Sequence, residues 1–242
     1  MNGKNQKINK IQKNIKIINT NMKRIFAFFA VAAAMIAAEN SYAQLSIRAG
    51  FAPETWKSTV TVNNTSTTST THLKGIFVGA HYNFTLTGDL GLSLGAQYRF
   101  NFSKESESGD VFGLVGGTVE TKNTQSVLDV PVLLNYGLDL SDAMRLSIFA
   151  GPTLNLALAG NSHVTSTVTV LGKTNVTETD NDWYGDNTNF ETLNLSATFG
   201  VNFTYMHFGL FAGYNMGLLD MNKSDDYKLK TAGFFVGLGY TF

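Results

Sequence analysis

Leu90-Gly91-Leu92-Ser93-Leu94-Gly95-Ala96-Gln97-Tyr98-Arg99-Phe100-Asn101-Phe102 separates into two sets of alternate residues. Leu90, Leu92, Leu94, Ala96, Tyr98, Phe100 and Phe102 share one face of an extended chain, and Gly91, Ser93, Gly95, Gln97, Arg99 and Asn101 share the other. A period of two is that of a β-strand, whose successive side chains point to opposite faces. The stretch is long. Strands of soluble proteins run about five or six residues, whereas a tilted strand needs roughly 9 to 11 to cross a bilayer.

Seven further segments carry the same alternation: Gln44 to Pro53, Leu73 to Thr85, Gln125 to Leu138, Met144 to Leu158, Thr192 to Tyr205, His207 to Leu218 and Leu229 to Phe242. The connections alternate in length. Leu86 to Asp89, Asp139 to Ala143 and Met206 are tight, whereas Glu54 to His72, Ser103 to Thr124, Ala159 to Glu191 and Leu219 to Lys228 are long. Short periplasmic turns alternating with long extracellular loops predict an all-β chain, an eight-stranded antiparallel up-and-down transmembrane β-barrel with both termini periplasmic.

Glycines support the side assignment. Gly50, Gly75, Gly79, Gly91, Gly95, Gly137, Gly151, Gly200, Gly209, Gly213, Gly217, Gly233, Gly237 and Gly239 all fall on the polar faces. An eight-stranded interior is only wide enough for side chains to fill, so small residues are needed inside. Aromatic residues gather at strand ends, with Tyr98, Phe100 and Phe102 at one rim and Phe84, Tyr136, Tyr205, Phe208, Tyr240 and Phe242 at the other, as interfacial girdles require. Pro131 and Pro152 fall inside strands, where a missing amide predicts a local bulge at each.

The first 43 residues differ from the rest. They hold seven of the 18 basic residues and one acid, Glu39, so the remainder carries 11 basic and 17 acidic residues, a net charge of about −6. That balance excludes the electrostatic footprint of a nucleic-acid partner. Lys23-Arg24 precede the apolar run Ile25 to Ala38, and Ser41-Tyr42-Ala43 follows with small residues at the positions a signal peptidase reads. The run is shorter than the roughly 20 residues of a membrane-spanning helix. Residues 1–43 are therefore expected to be a cleaved leader and signal peptide, and residues 44–242 the barrel domain. Met22, directly ahead of the signal, is an alternative start to Met1. There is no cysteine, so no disulfide contributes to stability.

Asp129-Val130-Pro131-Val132-Leu133-Leu134-Asn135-Tyr136, Phe149-Ala150-Gly151-Pro152, Tyr214-Asn215-Met216-Gly217-Leu218 and the terminal Tyr240-Thr241-Phe242 resemble strand patterns of the PorT-like family of small outer-membrane β-barrel proteins. The resemblance implies the barrel, the membrane and the regularity of both prolines. Because the family is named after a protein needed for export by a secretion machine, it also implies an accessory role in envelope or secretion machinery.

Parity turns Arg48, Arg99, Asp129 and Arg145 into the lumen, where they either plug it or set the selectivity of a narrow channel. Arg99 and Asp129 lie on neighbouring strands and are expected to pair, which lowers the cost of burying either charge. The histidines His72, His81, His163 and His207 are scattered over loops, lumen and the opposite turn, and no catalytic triad is assembled from them. Asp180-Asn181-Asp182-Trp183-Tyr184-Gly185-Asp186, with Glu191, approaches a calcium loop but puts Tyr184 where an oxygen ligand belongs. An acidic exposed loop is the alternative. No catalytic, cofactor-binding or metal-ligating residue is assigned, and no cofactor is expected.

Val164 to Val170 and Thr174 to Thr179 flank Leu171-Gly172-Lys173 as a hairpin, Val111 to Thr121 is expected to turn at Gly116-Gly117, and Thr55 to Thr71 has the composition of a third. Such hairpins extend the wall beyond the membrane and offer edges to a protein partner. The expected function is thus a non-enzymatic outer-membrane barrel, in contact with lipid and with an extracellular or envelope protein through its loops. The alternative is a narrow, porin-like channel for small solutes.

Overall fold

A computed structural model of the chain describes residues 43–62, 65–111, 115–170, 173–184, 190–222 and 227–242. The expected leader and its cleavage site lie outside these residues, apart from Ala43 itself. Ten strands run through the described part: β1 (Ala43–Phe51), β2 (Glu54–Val62), β3 (Thr65–Thr87), β4 (Leu90–Val111), β5 (Val115–Ser141), β6 (Met144–Val170), β7 (Lys173–Asp182), β8 (Leu193–Tyr205), β9 (Phe208–Gly217) and β10 (Tyr227–Thr241). All pairings are antiparallel, and they close a ring of eight staves. β1 and β2 form one stave, lapsing at Ala52-Pro53 and keeping the same register against β3 and β10 on either side. β7 stands outside the ring and, among the described residues, pairs only with β6.

The ring closes where Gly50 lies opposite both Gly237 of β10 and Phe77 of β3. Closure is what the bilayer demands, because an unpaired backbone amide in hydrocarbon costs several kcal/mol and a ring has no edge. At one end the staves join through two-residue turns: Thr87 pairs with Leu90, Ser141 with Met144 and Tyr205 with Phe208. Left-handed backbone serves two of these turns, with φ of 48° at Gly88 and 52° at Met206, the latter an uncommon place for a side chain.

At the other end the strands overrun the membrane. β3, β4, β5 and β6 have 23, 22, 27 and 27 residues, well beyond a bilayer crossing. Glu54 to His72, read as a loop and as a hairpin, is the β2–β3 hairpin, with Val62 opposite Thr65. The expected turn at Gly116-Gly117 is corrected: Gly117 pairs with Gly109 and Gly116 with Asp110, and the tip falls at 112–114, outside the described residues. Register set by the apolar rows in the membrane propagates outward, and it places the reversal three residues earlier than the glycines suggest. The β6–β7 hairpin is as expected, from Val170 opposite Lys173 down to Asn161 opposite Asp182.

The prolines are also corrected. Pairing of β4 with β5 lapses between Leu94↔Val132 and Gln97↔Asp129, and that of β5 with β6 lapses between Pro131↔Thr153 and Leu134↔Ala150, yet each resumes in the same register. A missing amide therefore costs local hydrogen bonds and no bulge. The bulge lies elsewhere, where Ser126 faces Ala159 and Val127 faces Ala157, leaving Leu158 unpaired. Beyond it the inward face of β6 passes from odd to even residues, so Gly160 carries the rings of Trp183 and Tyr184 and His163 turns outward.

Outer faces are apolar and open. Ile76, Val78, Leu134, Ile148, Val201, Leu210, Phe234 and Leu238 are all exposed, a continuous surface suited to lipid. Tyr240 is packed with His207, Phe208 and Phe242 at the short-turn end, and Tyr98, Phe100 and Phe102 lie towards the hairpin end. Inside, four phenylalanines occupy the space that glycine leaves: Phe77 lies over Gly50, Phe149 over Gly200, Phe211 over Gly237 and Phe235 over Gly213. A Cβ on Gly50 would come within 2.6 Å of Gly237 Cα and 2.9 Å of Phe77 Cε1. Gly50→Val should destabilise the barrel by about 1–3 kcal/mol or block its assembly, whereas Gly109→Ala, with nothing within 4 Å, should be neutral. Urea unfolding in micelles, followed by gel mobility of the unheated barrel, checks both.

Candidate functional site: a filled lumen and an extended wall

The alternate residues Ser46, Arg48, Gly50, Ala52, Glu54 and Trp56 traverse the lumen from end to end, and the layers can be followed along them. Nearest the short turns, Arg145 reaches Asp139 (2.7 Å) and lies against Gly137, half in solvent. Next comes a polar layer. His81 is hydrogen bonded through Nδ1 to Ser93 (3.1 Å) and through Nε2 to Gln97 (2.7 Å), its ring seated on Gly95. Arg48 stacks its guanidinium on Phe211, 5.3 Å from the ring centre. The four phenylalanines with Ala52 and Leu133 then form an apolar layer, with centroid separations of 6.0 to 6.5 Å.

Above it lies the charged network. Arg99 donates through Nε to Asp129 Oδ2 (2.8 Å) and through Nη2 to Oδ1 (3.3 Å), so the expected pair is present. A second carboxylate, Glu54, accepts from Arg99 Nη1 and from Asn101 Nδ2 (2.9 Å). All three ionisable groups are buried, at 7% exposure for Glu54, 8% for Arg99 and 3% for Asp129. Glu54 was invisible in the sequence as a site residue because it follows Pro53 and opens what reads as a loop. Its inward place follows from β2 continuing the stave in the register of β1. Asn155 donates to Asp129 Oδ1 (2.7 Å) and accepts from Ser196, and Asn101 donates to Gln125 (2.7 Å). Asn101 Oδ1 lacks a partner among the described residues.

An aromatic lid closes the layer towards the hairpins. Trp56, Leu73, Met221 and Leu229 are buried, with Trp183, Phe190 and Tyr227 packed on them. Trp56 and Trp183 are 4.9 Å apart, and Trp56 Nε1 donates to Glu54 (3.2 Å), which ties the lid to the charges. Tyr184, whose hydroxyl accepts from Gln125 (2.7 Å), is pushed up to about 12 by burial, against smaller lowering effects of the Gln125 hydrogen bond and the Arg99 charge. Three voids of about 30, 20 and 20 Å³ interrupt the filling, and Arg99 borders each of them. A void of this size holds one or two waters.

The other sequence candidates separate. His72 bonds Thr55 (3.1 Å) on the outer surface, and His207 bonds the Thr241 carbonyl (2.9 Å) at the short-turn end. His163 meets Asp180 through Nδ1 (2.7 Å) and Thr165 through Nε2 (3.4 Å), an order reminiscent of a hydrolytic triad. β6 is flanked there by β5 and β7 on both sides, so its amides are committed to the ladders and offer no oxyanion site. Of the calcium-like segment, Asp180 and Asp182 stand on β7 and Tyr184 turns into the lumen mouth, while residues 185–189 lie outside the described residues. Among the described residues no three metal-ligating side chains converge. On the hairpins, Ser108, Gly109, Gly116, Gly117, Thr118, Thr167 and Thr169 line an open concavity of about 400 Å³.

Two outcomes test the lumen. Arg99→Met leaves two carboxylates uncompensated and should cost about 3–5 kcal/mol in urea unfolding, while the triple change R99M/E54Q/D129N should recover most of that loss. Because the Tyr184 pKa is raised, the neutral phenol favours the folded mouth fully below pH 10, and the contribution fades as pH rises towards about 12. The ultraviolet difference titration between the parent and Tyr184→Phe should therefore have its midpoint near 12.

The fold is similar to those of several solved proteins. These include Ail, the attachment invasion locus protein of Yersinia pestis (15% identity, covering 83% of this chain and 99% of that one, TM-score 0.30), and Neisserial surface protein A (12%, 82% and 97%, 0.35). The outer membrane protease OmpT of Escherichia coli is a further example (11%, 84% and 98%, 0.44). No curated protein matches the chain. Residues 29–223 match the outer membrane protein beta-barrel domain family, and with its closed eight-stave ring and apolar outer wall the chain belongs to that family, whose place is the bacterial outer membrane.

Proposed function

We propose that the protein is a non-enzymatic barrel that holds a β-sheet above the outer membrane for a protein partner, at the cell surface or within envelope machinery. One observation carries this reading. β4, β5, β6 and β7 form a four-stranded sheet beyond the barrel, and among the described residues its last strand pairs on one side only, with all ten of its residues exposed. A free edge of this kind accepts an extended segment from another chain through main-chain hydrogen bonds. Glu178, Asp180 and Asp182 on that edge discourage self-pairing and favour a basic segment.

In this reading residues 1–43 are removed on export and the termini and short turns are periplasmic. The resemblance to PorT-like barrels directs the search for the partner towards secretion machinery. The small lumenal voids and the aromatic lid count against a conducting channel.

Deletion of Val164 to Thr179 should abolish capture of the partner in cross-linking pull-downs from native outer membranes, and capture of every partner unchanged would sink the proposal. A tag inserted at 171–172 should label on intact cells. The purified barrel should stay silent in planar bilayers, and stable nanosiemens steps would favour the channel instead.

A further inference from the structure

Six lysines stand on the outer wall at and beyond the edge of the lipid-facing apolar band, and among the described residues there they are confined to one part of its circumference. Trp56, Leu73 and Leu229 point inward and are buried, so Lys57, Lys74, Lys228 and Lys230, which alternate with them, point outward and are exposed. Lys74 is paired with Phe102, and Lys104 lies two residues beyond Phe102 on the same face, about 7 Å further along the strand. Lys104 is paired in turn with Lys122. The wall thus carries a stepped cationic belt: Lys74 is level with Phe102, Lys104 and Lys122 rise beyond it on the β4–β5 hairpin, and Lys57, Lys228 and Lys230 cluster on β2 and β10, with Lys230 four residues beyond Phe234. The hairpin strand β7 on the other part carries Glu178, Asp180 and Asp182.

Charge within the belt is balanced only in part by the described residues. Glu120 bridges Lys104 and Lys122 (2.8 Å each), and these two ammonium groups hold its carboxyl down to about 2. Asp220 accepts from the backbone amides of Asn222 (3.0 Å) and Leu229 (2.9 Å). Lys57, Lys74, Lys228 and Lys230 have no carboxylate within 4.0 Å among the described residues, and Lys57 and Lys230 are directly opposite each other across the β2–β10 ladder. Like charges so placed repel unless an anion lies between them. A lysine at this height lays its methylene stem along apolar wall and lifts its ammonium to the level of lipid headgroups.

We propose that this belt binds the phosphorylated headgroup of an outer-leaflet lipid, with Lys57 and Lys230 clamping one phosphate and Lys228, two residues beyond Lys230 on the same face, beside them. Four residues of tilted strand lift Lys57 and Lys230 roughly 10 Å above Phe234, into the layer where headgroups already surround the wall and a protein partner would have to displace them. The choice of leaflet rests on the orientation given under the proposed function, but the binding chemistry does not.

The test uses the folded barrel in micelles, titrated with bisphosphorylated lipid A and with the same lipid after enzymatic dephosphorylation, with bound lipid counted by native mass spectrometry. The phosphorylated form should bind at least about tenfold tighter, each lysine near an anionic surface being worth roughly fivefold, and the preference should weaken with salt. The exposed triple variant K57Q/K228Q/K230Q should lose that preference with unchanged mobility as a folded barrel. K173Q, at the far tip of the β6–β7 hairpin, should keep it. Equal binding of the two lipids, a triple variant indistinguishable from the parent, or a loss in K173Q as large as in the triple variant would each overturn the site. Failure here leaves the hairpin proposal untouched, because surface labelling and pull-down read that separately.

Discussion

Hydrocarbon offers no partner to a backbone amide, and the pairing of the last stave with the first answers that constraint. Gly50 opposite Gly237 closes a ring narrow enough that backbone itself crowds the interior. Everything inside follows from that width. Glycines must line the seams, the larger side chains must nest in the space above them, and four phenylalanines do so in one layer. The Pro53, Pro131 and Pro152 interruptions are tolerated because the ladders on either side hold the register across each gap.

The same narrowness explains why charge is shared inside. Arg99 cannot be fully hydrated in voids that hold one or two waters, so it is compensated by Asp129 on the next stave and by Glu54 two staves away on the other side. Carboxylates in turn require donors beyond the guanidinium, which Asn101, Asn155 and Trp56 supply. A buried network of this kind is specific in register as much as stabilising, since a slip of one residue would turn each member to the lipid. It also fills the path a solute would take.

Interaction therefore moves to the outside, where the strands continue past the membrane in the register set within it. The bulge at Leu158 is a small feature with a large effect there. It re-aims β6 so that His163 and Thr165 face outward with Lys122 and Glu120, and Gly160 receives the lid aromatics. Two surfaces of opposite character result, a cationic belt near the apolar band and an acidic free edge on β7. They occupy different parts of the wall and suit different occupants.

The alternation in Leu90 to Phe102 and its seven counterparts was sufficient to determine strands, faces, the filled interior and the apolar outer wall, because side-chain parity is a property each strand carries by itself. The Arg99–Asp129 pair was legible for the same reason, both residues being on inward positions of adjacent strands. Glu54 was not, nor the true tip of the β4–β5 hairpin, nor the outward turn of His163. These depend on whether a ladder survives Pro53, on where register carries a reversal, and on an unpaired Leu158. Each is settled by hydrogen bonds between staves, which only the closed tertiary structure decides.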